Sequence, residues 1–406
     1  MRVLLLTQYF VPEVGAPQIR LYEIVQQMRA LGHEVTVVTA LPNYPEGKIL
    51  AAYRGRVLQR EQIDGVDVIR TWIYPAKGQN LLKRLANALS FTLSSLGGLL
   101  WAPRPDFILV ETPPIFLGLT AWLGAKLRRT VYVVNVADLS LDVAVSLGLM
   151  RRGLAWRILS WLERAVYGGA RLVMAITEGV AQALHARKGV PEERLYLLPN
   201  GVNTERFAKA APDEALRSHL GLDGKYILLY AGTHGLIHGL DVALEAADKL
   251  RAREDVHVVL VGGGSDKERL VALAKEMALA NVTFLPPQPF TAMPRYYSIA
   301  TAALVTVRPG AAYREVRSAK MLPALASEVP VIYAADDEGS RIVARAGAGI
   351  VTPAGDAAAL AQAIEYIVDH PAEAAELGRR GRELAVREFS WQHIVSAWMS
   401  HMEKML

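Results

Sequence analysis

The stretch VLLLTQYFVPEVGAPQIRLYEIVQQMRALGHEVTVVT (3–39) decides the fold class. Its two ends, VLLLT (3–7) and EVTVVT (34–39), are short apolar runs of the kind that form parallel strands buried on both faces. Between them, PQIRLYEIVQQMRALGH (17–33) sets Ile19, Tyr22, Val25, Gln26, Met28 and Arg29 at helical spacing, with Pro17 at its start and Gly32 at its end. Strand, helix and strand make one βαβ unit. Its right-handed connection puts the loop 7–17 at the carboxyl end of the first strand.

Working outward, DFILVE (106–111), TVYVVNVA (130–137) and RLVMAIT (171–177) continue the series, each separated by an amphipathic stretch. The pattern starts afresh after YLLPNGVNTERF (196–207), with strands expected at 226–232, 256–264, 281–286, 302–307 and 329–334. A chain of 406 residues exceeds the ~250–300 residues at which single cores stop growing, so two α/β domains are expected. The boundaries predicted are 1–198, 199–387 and a closing segment 388–406, with 199–225 as a linker rich in Pro, Asn, Gly and charge. Residues 385–406 read as one amphipathic helix that buries Phe389, Ile394, Trp398 and Met402.

Hydrophobic residues make up 52% of the chain and charged ones 21%, which excludes a disordered protein. The absence of cysteine excludes disulfides, cysteine-ligated metal centres and a thiol nucleophile. The first apolar run reads as a strand rather than a leader. No run reaches the ~18 apolar residues of a spanning helix, 85–101 being the nearest. Basic residues outnumber acidic ones before Pro199, and the balance reverses after it. No stripe of Lys/Arg interleaved with stacking aromatics is present, so a nucleic-acid partner is not expected. The segments 79–103 and 150–172 mix apolar and aromatic residues with Lys/Arg, as interfacial helices do, and point to an anionic membrane surface; ordinary core helices with a solvated face would read the same way.

Three loops carry candidate chemistry. YAGTHGLIHGLDVALEAADKL (230–250) is a strand, a glycine-punctuated turn and a helix beginning near Gly239, an arrangement that offers backbone amides and a positive dipole end to a diphosphate. There Gly232 and Gly235 permit close approach, Thr233 offers a hydroxyl, and His234 or His238 adds charge when protonated. VLVGGGSDKERL (259–270) repeats the form with Gly262, Gly263 and Gly264 but lacks the dinucleotide fingerprint, which disfavours a dehydrogenase. REVRSAKMLPALASEVPVIYA (314–334) reads as a helix carrying Glu315, suited to sugar or ribose hydroxyls, and Lys320, suited to a phosphate.

In order and spacing, the segments 7–45, 105–114, 197–207, 230–241, 261–270, 314–334 and 347–364 resemble the family 4 retaining glycosyltransferases of the GT-B fold, nearest to the bacterial polysaccharide transferases that include fucosamine transferases. The resemblance implies two Rossmann-like doubly wound domains, an interdomain cleft and a final helix that crosses back onto the N-terminal domain. It implies nucleotide-sugar binding by the C-terminal domain through Gly232, Thr233, His234, Gly235, His238, Gly262, Gly263, Gly264 and Met321, with Gly15 approaching the phosphates. Asp138, Glu315 and Lys320 take catalytic positions, and Arg20 and Thr112 lie on the acceptor side. No metal and no cofactor are implied. The acceptor implied is a glycan or a polyprenyl-diphosphate-linked saccharide, reached from the cytoplasm at the inner face of the membrane.

The chain departs from the family pattern at Pro323, where a second glutamate, seven residues beyond Glu315, would hold the ribose. That leaves open a catalytically impaired relative that binds nucleotide sugar or a partner, or a sugar-nucleotide epimerase.

Overall fold

The structure is a computed structural model that describes residues 1–13, 15–77, 81–146, 150–310 and 317–406. It divides into two compact units, Met1–Asn200 with Ile394–Leu406, and Gly201–His393. Each is built on its own largely parallel sheet.

In the first unit the strands are β1 (Arg2–Leu6), β2 (Glu34–Ala40), β3 (Leu58–Ile63), β4 (Val66–Thr71), β5 (Phe107–Thr112), β6 (Val131–Val136), β7 (Leu172–Ala175) and β8 (Leu195–Leu197). They run β3-β4-β2-β1-β5-β6-β7-β8, with β3 antiparallel to β4 and all other pairs parallel. The helices are α1 (Ala16–Ala30), α2 (Leu81–Trp101), α3 (Leu117–Arg128), α4 (Ser140–Ser146), α5 (Leu154–Gly169) and α6 (Glu178–Lys188). Full burial of β5 and β7 and near-full burial of β1 and β6 explains their unbroken apolar runs. Chain order reverses between β1 and β5, and the crevice at the carboxyl ends of two such strands is where doubly wound sheets bind ligands.

α1 forms where expected, but it buries Gln18, Arg20, Leu21, Glu23, Ile24, Val25 and Met28, leaving Ile19 and Tyr22 only partly covered. The inward stripe is thus rotated from the one read off the spacing, because three polar residues, Gln18, Arg20 and Glu23, belong to it.

The second unit contains α7 (Glu214–His219), β9 (Tyr226–Ala231), α8 (Asp241–Lys249), β10 (Val256–Val261), α9 (Lys267–Glu276), β11 (Val282–Leu285), α10 (Met293–Ser298) and β12 (Ala302–Thr306). It continues with α11 (Met321–Ala326), β13 (Val331–Ala334), α12 (Glu338–Ala346), β14 (Gly349–Thr352), α13 (Ala357–Asp369) and α14 (Pro371–Glu388). The sheet order is β11-β10-β9-β12-β13-β14, all parallel, so its switch point lies between β9 and β12. The glycine loops follow β9 and β10 directly.

Two organisational expectations are corrected. Residues 201–225 are not a linker: Val202, Phe207, Leu216 and Leu222 are buried in the second unit's core, and Arg382 donates to the carbonyls of Thr204 and Phe207. The closing helix is two helices, α14 and then α15 (Trp391–Met405). The chain breaks at Phe389 and Ser390, where Val202 and Ser390 pair as an isolated bridge and the Ser390 hydroxyl accepts from the His393 amide. From Ile394 onward α15 belongs to the first unit, as a crossover helix does, with Trp398 fully buried and its ring edge-on to Phe107 at 6.2 Å.

Candidate active site

At the switch point of the second unit the loops after β9 and β10 are zipped together by backbone. The Gly232 amide donates to the Val261 carbonyl at 2.9 Å, the His234 amide to Gly263 at 2.8 Å and the Asp266 amide to His234 at 3.0 Å. Strand pairing therefore continues past the end of the sheet, and glycine is what permits it. Gly262 has φ +148°, and a Cβ there would fall on the Gly232 carbonyl oxygen. Gly232 has φ +151°, and a Cβ there would overlap Lys320 Cε and come within 2.9 Å of its Cδ.

Lys320 thus runs along the Cβ-less side of Gly232. Its Nζ lies 3.1 Å from His238 Nε2 and 3.4 Å from Nδ1, and 5.7 Å from the centre of the Tyr230 ring. Burial pulls the ammonium pKa down to about 8. Among the described residues no carboxylate lies within ion-pair reach of it. Burial, followed by the field of Lys320, pushes His238 down to about 3. His234, with none of its surface exposed, is pushed down to about 4 by burial and then by Lys267. Both histidines are therefore neutral at physiological pH. The expectation that either brings positive charge is corrected, because each is buried next to a lysine. His238 instead accepts a hydrogen bond from Lys320, and His234 is a packing residue between Tyr230 and Phe284, its ring nitrogens without a hydrogen bond of ordinary geometry.

The loop amides are also partly spent. His234, His238 and Gly239 donate within the fold, the last two to Gly235 and Leu236 in a short 3-10 turn, Leu236–His238. Among the described residues no backbone carbonyl takes up the amides of Thr233 and Gly235, and Thr233 is exposed. α8 begins two residues after Gly239, and Asp241 stands in its first turn with its carboxyl held low by Arg269, 2.6 Å away. The positive end of that helix already faces a carboxylate.

Three groups that reading the sequence passed over complete the rim. Arg308 follows β12, its amide donating to the Ile237 carbonyl at 2.9 Å and its guanidinium 3.5 Å from Asp241. Thr306 donates its hydroxyl to the His238 carbonyl at 2.6 Å. Lys267 Nζ donates to the carbonyls of Gly262 and Leu285, both at 2.7 Å. The signal for Arg308 was available: VTVRPG places an arginine just past a strand's carboxyl end, where ligands bind in such sheets.

Glu315 lies outside the described residues. Lys320 caps α11 rather than sitting within a longer helix, and Pro323 occupies the first turn, where a missing amide costs nothing. The Met321 side chain is fully buried in the second unit's core, which leaves its backbone for the donor contact expected of this residue.

In the first unit the carboxyl ends of β1, β5 and β6 carry a buried polar layer. Arg20 donates to Glu111 at 2.5 Å, Asn135 donates to the other oxygen of Glu111 at 2.5 Å, and the Thr112 hydroxyl donates to the Asn135 carbonyl at 3.1 Å. Arg20 and Thr112 are both buried with internal partners, although Arg20 Nη1 and Asn135 Oδ1 make no hydrogen bond. Gly15 caps α1 in extended conformation, and Glu13 beside it accepts from the amides of Phe10, Asn43 and Tyr44. Burial raises the Glu13 carboxyl, and the three amides counter it. Asp138, just past β6, reaches solvent, while the protein around it raises its carboxyl above the ordinary value. Among the described residues no group of three His, Asp or Glu is placed to hold a metal ion.

The two units match separate family descriptions, "Glycosyl transferase 4-like domain" over residues 15–201 and "Glycosyl transferases group 1" over 212–384. A putative colanic acid biosynthesis glycosyl transferase, WcaI of Escherichia coli, is 33% identical over 298 residues, covering 71% of this chain and 72% of its own. The chain belongs to the family 4 glycosyltransferases. A second relative of this glycosyltransferase, a GDP-mannose-dependent α-mannosyltransferase of Mycolicibacterium smegmatis, is 27% identical across 100% of this chain and 98% of its own. Among solved structures, sucrose-phosphate synthase of Thermosynechococcus elongatus superposes with a TM-score of 0.77 at 21% identity, covering 100% of this chain and 99% of that one. Anabaena HepE, solved with UDP and glucose, does so with a TM-score of 0.74 at 17% identity, each chain covered completely. The shared fold is GT-B. In this glycosyltransferase, a lysine with no carboxylate in ion-pair reach among the described residues stands at the switch point of the C-terminal sheet.

Proposed function

We propose that this glycosyltransferase moves a sugar, with retention of configuration, from a nucleoside-diphosphate sugar, UDP being the favoured nucleotide, to a glycan or polyprenyl-diphosphate-linked saccharide in cell-surface polysaccharide synthesis. The observation that carries the reading is Lys320: a mostly buried ammonium beside glycine-lined loops, whose neighbours among the described residues are a neutral imidazole and a phenol ring and no carboxylate. Such a cation gains most from an anion that arrives with the substrate. As the C1–O bond to the diphosphate breaks, negative charge grows on the leaving oxygen. Lys320 and the amides of Thr233 and Gly235 stabilise it, with His238 orienting the ammonium. The acceptor oxygen bonds to C1 on the same face, and its proton passes to the leaving phosphate. No metal is required for that charge balance.

Asp138 engages an acceptor hydroxyl. Arg20, Glu111 and Thr112 hold the loops of the acceptor unit from beneath rather than touching substrate. Work at the cytoplasmic face of a membrane fits the lipid-linked acceptor. The colanic-acid relative supports the polysaccharide setting, HepE supports UDP, and the full-length mannosyltransferase relative supports GDP as the second reading.

Donor hydrolysis against a panel of UDP- and GDP-sugars is the test, with the anomeric product followed by NMR. Lys320→Ala lowers turnover by about 10²–10³-fold, while nucleoside-diphosphate affinity falls only about tenfold. Equal losses in both would remove Lys320 from the transition state. Binding without turnover against every donor would mark an impaired relative, and interconversion of sugars an epimerase.

A further inference from the structure

We infer that α2, α3 and α5 together form a docking face for an anionic lipid surface. All three bury one side into the same core cluster on one face of the first unit's sheet, through Phe91 and Leu99, Leu117 and Ala121, and Leu162 and Val166. Each also turns a second apolar stripe away from the sheet. On α5 the stripe is Leu154, Ile158 and Trp161, exposed by 75%, 56% and 64%. On α2 it runs through Leu82, Leu85, Leu89 and Leu93, and on α3 through Leu119, Trp122, Leu123 and Leu127, all exposed. The helices adjoin closely. A Cβ on Gly118 would overlap the Val166 side chain of α5, and one on Gly124 would overlap Leu99 of α2, so α3 lies tight between its neighbours. Monomeric proteins seldom leave an apolar area of this extent uncovered.

Charge names the occupant. Lys83, Arg84, Lys126, Arg157 and Arg164 are exposed on these helices, and the one acidic residue on all three, Glu163, is buried against Lys188 at 2.7 Å. Lys126 sits 4.1 Å over the Trp122 ring and Arg152 5.6 Å over Trp156, pairing cation and indole as at a headgroup boundary. A second copy of this chain meeting the face about a two-fold axis would bring these cations against their own counterparts, whereas a bilayer bearing negative lipid meets both the apolar stripes and the charge. Among the described residues no helix is long and apolar enough to cross a membrane, so the face lies on the surface. The inference deepens the lipid-linked acceptor reading and rests on it for its purpose.

The test is flotation of the whole protein with vesicles of phosphatidylcholine alone and with vesicles containing roughly one-third phosphatidylglycerol. The protein floats with the anionic vesicles only, and brominated acyl chains quench its tryptophan emission. The double variant Leu93→Ser with Trp161→Ser loses about tenfold or more in vesicle affinity. It keeps its thermal unfolding and its donor hydrolysis, since both side chains are exposed and belong to the first unit, whereas the glycine loops belong to the second. No flotation at ~0.1 M salt, unchanged flotation of the double variant, or a dimer in light scattering that the same variant abolishes would each overturn the docking face. Donor hydrolysis is read separately: its absence in a protein that floats refutes the transferase reading and leaves the face standing.

Discussion

Gly262 and Gly235 lie on neighbouring loops, yet alanine meets opposite surroundings at the two. At Gly262 a methyl falls on the Gly232 carbonyl, with φ in the region that favours glycine. At Gly235 the nearest atoms stand 3.8 and 3.9 Å away, and φ is −113°. Gly262→Ala therefore costs about 3 kcal/mol by chemical denaturation and Gly235→Ala less than about 1 kcal/mol; similar costs would mean the loops are not zipped as described. The glycines were legible because few other residues allow such approach. The charge state of His238 was not legible, since it depends on Lys320, 82 positions further along the chain, coming to lie beside it. Thr112 and Arg20 were placed on the acceptor side for the same reason: that Arg20 donates to Glu111 and Thr112 to the Asn135 carbonyl is decided only by the folded sheet.

Among elements, α15 shows where periodicity misleads. Phe389, Ile394, Trp398 and Met402 keep helical spacing through a break, because Phe389 closes α14 and the rest belong to α15. The local cue was Ser390, a residue type that caps helices, and its partner Val202 is remote in sequence. Trp398 fixes the new helix on the first unit, so Trp398→Ala costs about 3–5 kcal/mol and loosens the C-terminal segment first. Hydrogen exchange should show residues 394–406 losing protection ahead of β1 and β5, and uniform loss would argue against a docked terminal helix. The strands β3, β4, β8 and β14 escaped the sequence reading. β3 alternates exposed and half-buried residues at the edge of its sheet, and β8 spans three residues.

For the whole molecule, alternation of strand and helix sufficed to call two doubly wound sheets, because parallel strands buried on both faces leave unbroken apolar runs. Strand order, and with it the switch points that select β9 and β12 over other strand ends, emerges only from the pairing. The basic character of the first half was likewise visible in composition, whereas its gathering with three apolar stripes on one layer of helices was not. At the switch point of the second unit the central claim is that the Lys320 ammonium holds the donor's diphosphate. Its pKa of about 8 gives that claim a signature. The ammonium is the binding form, so affinity is full below pH 8 and declines as pH rises through it. Calorimetric titration of UDP into the wild type and into Lys320→Met between pH 7 and about 9.5 reads this directly, with the methionine variant cancelling any titration of the nucleotide itself. The account predicts that wild-type affinity falls by about tenfold across the window relative to the variant, which stays weak throughout; parallel pH profiles for the two proteins would contradict it.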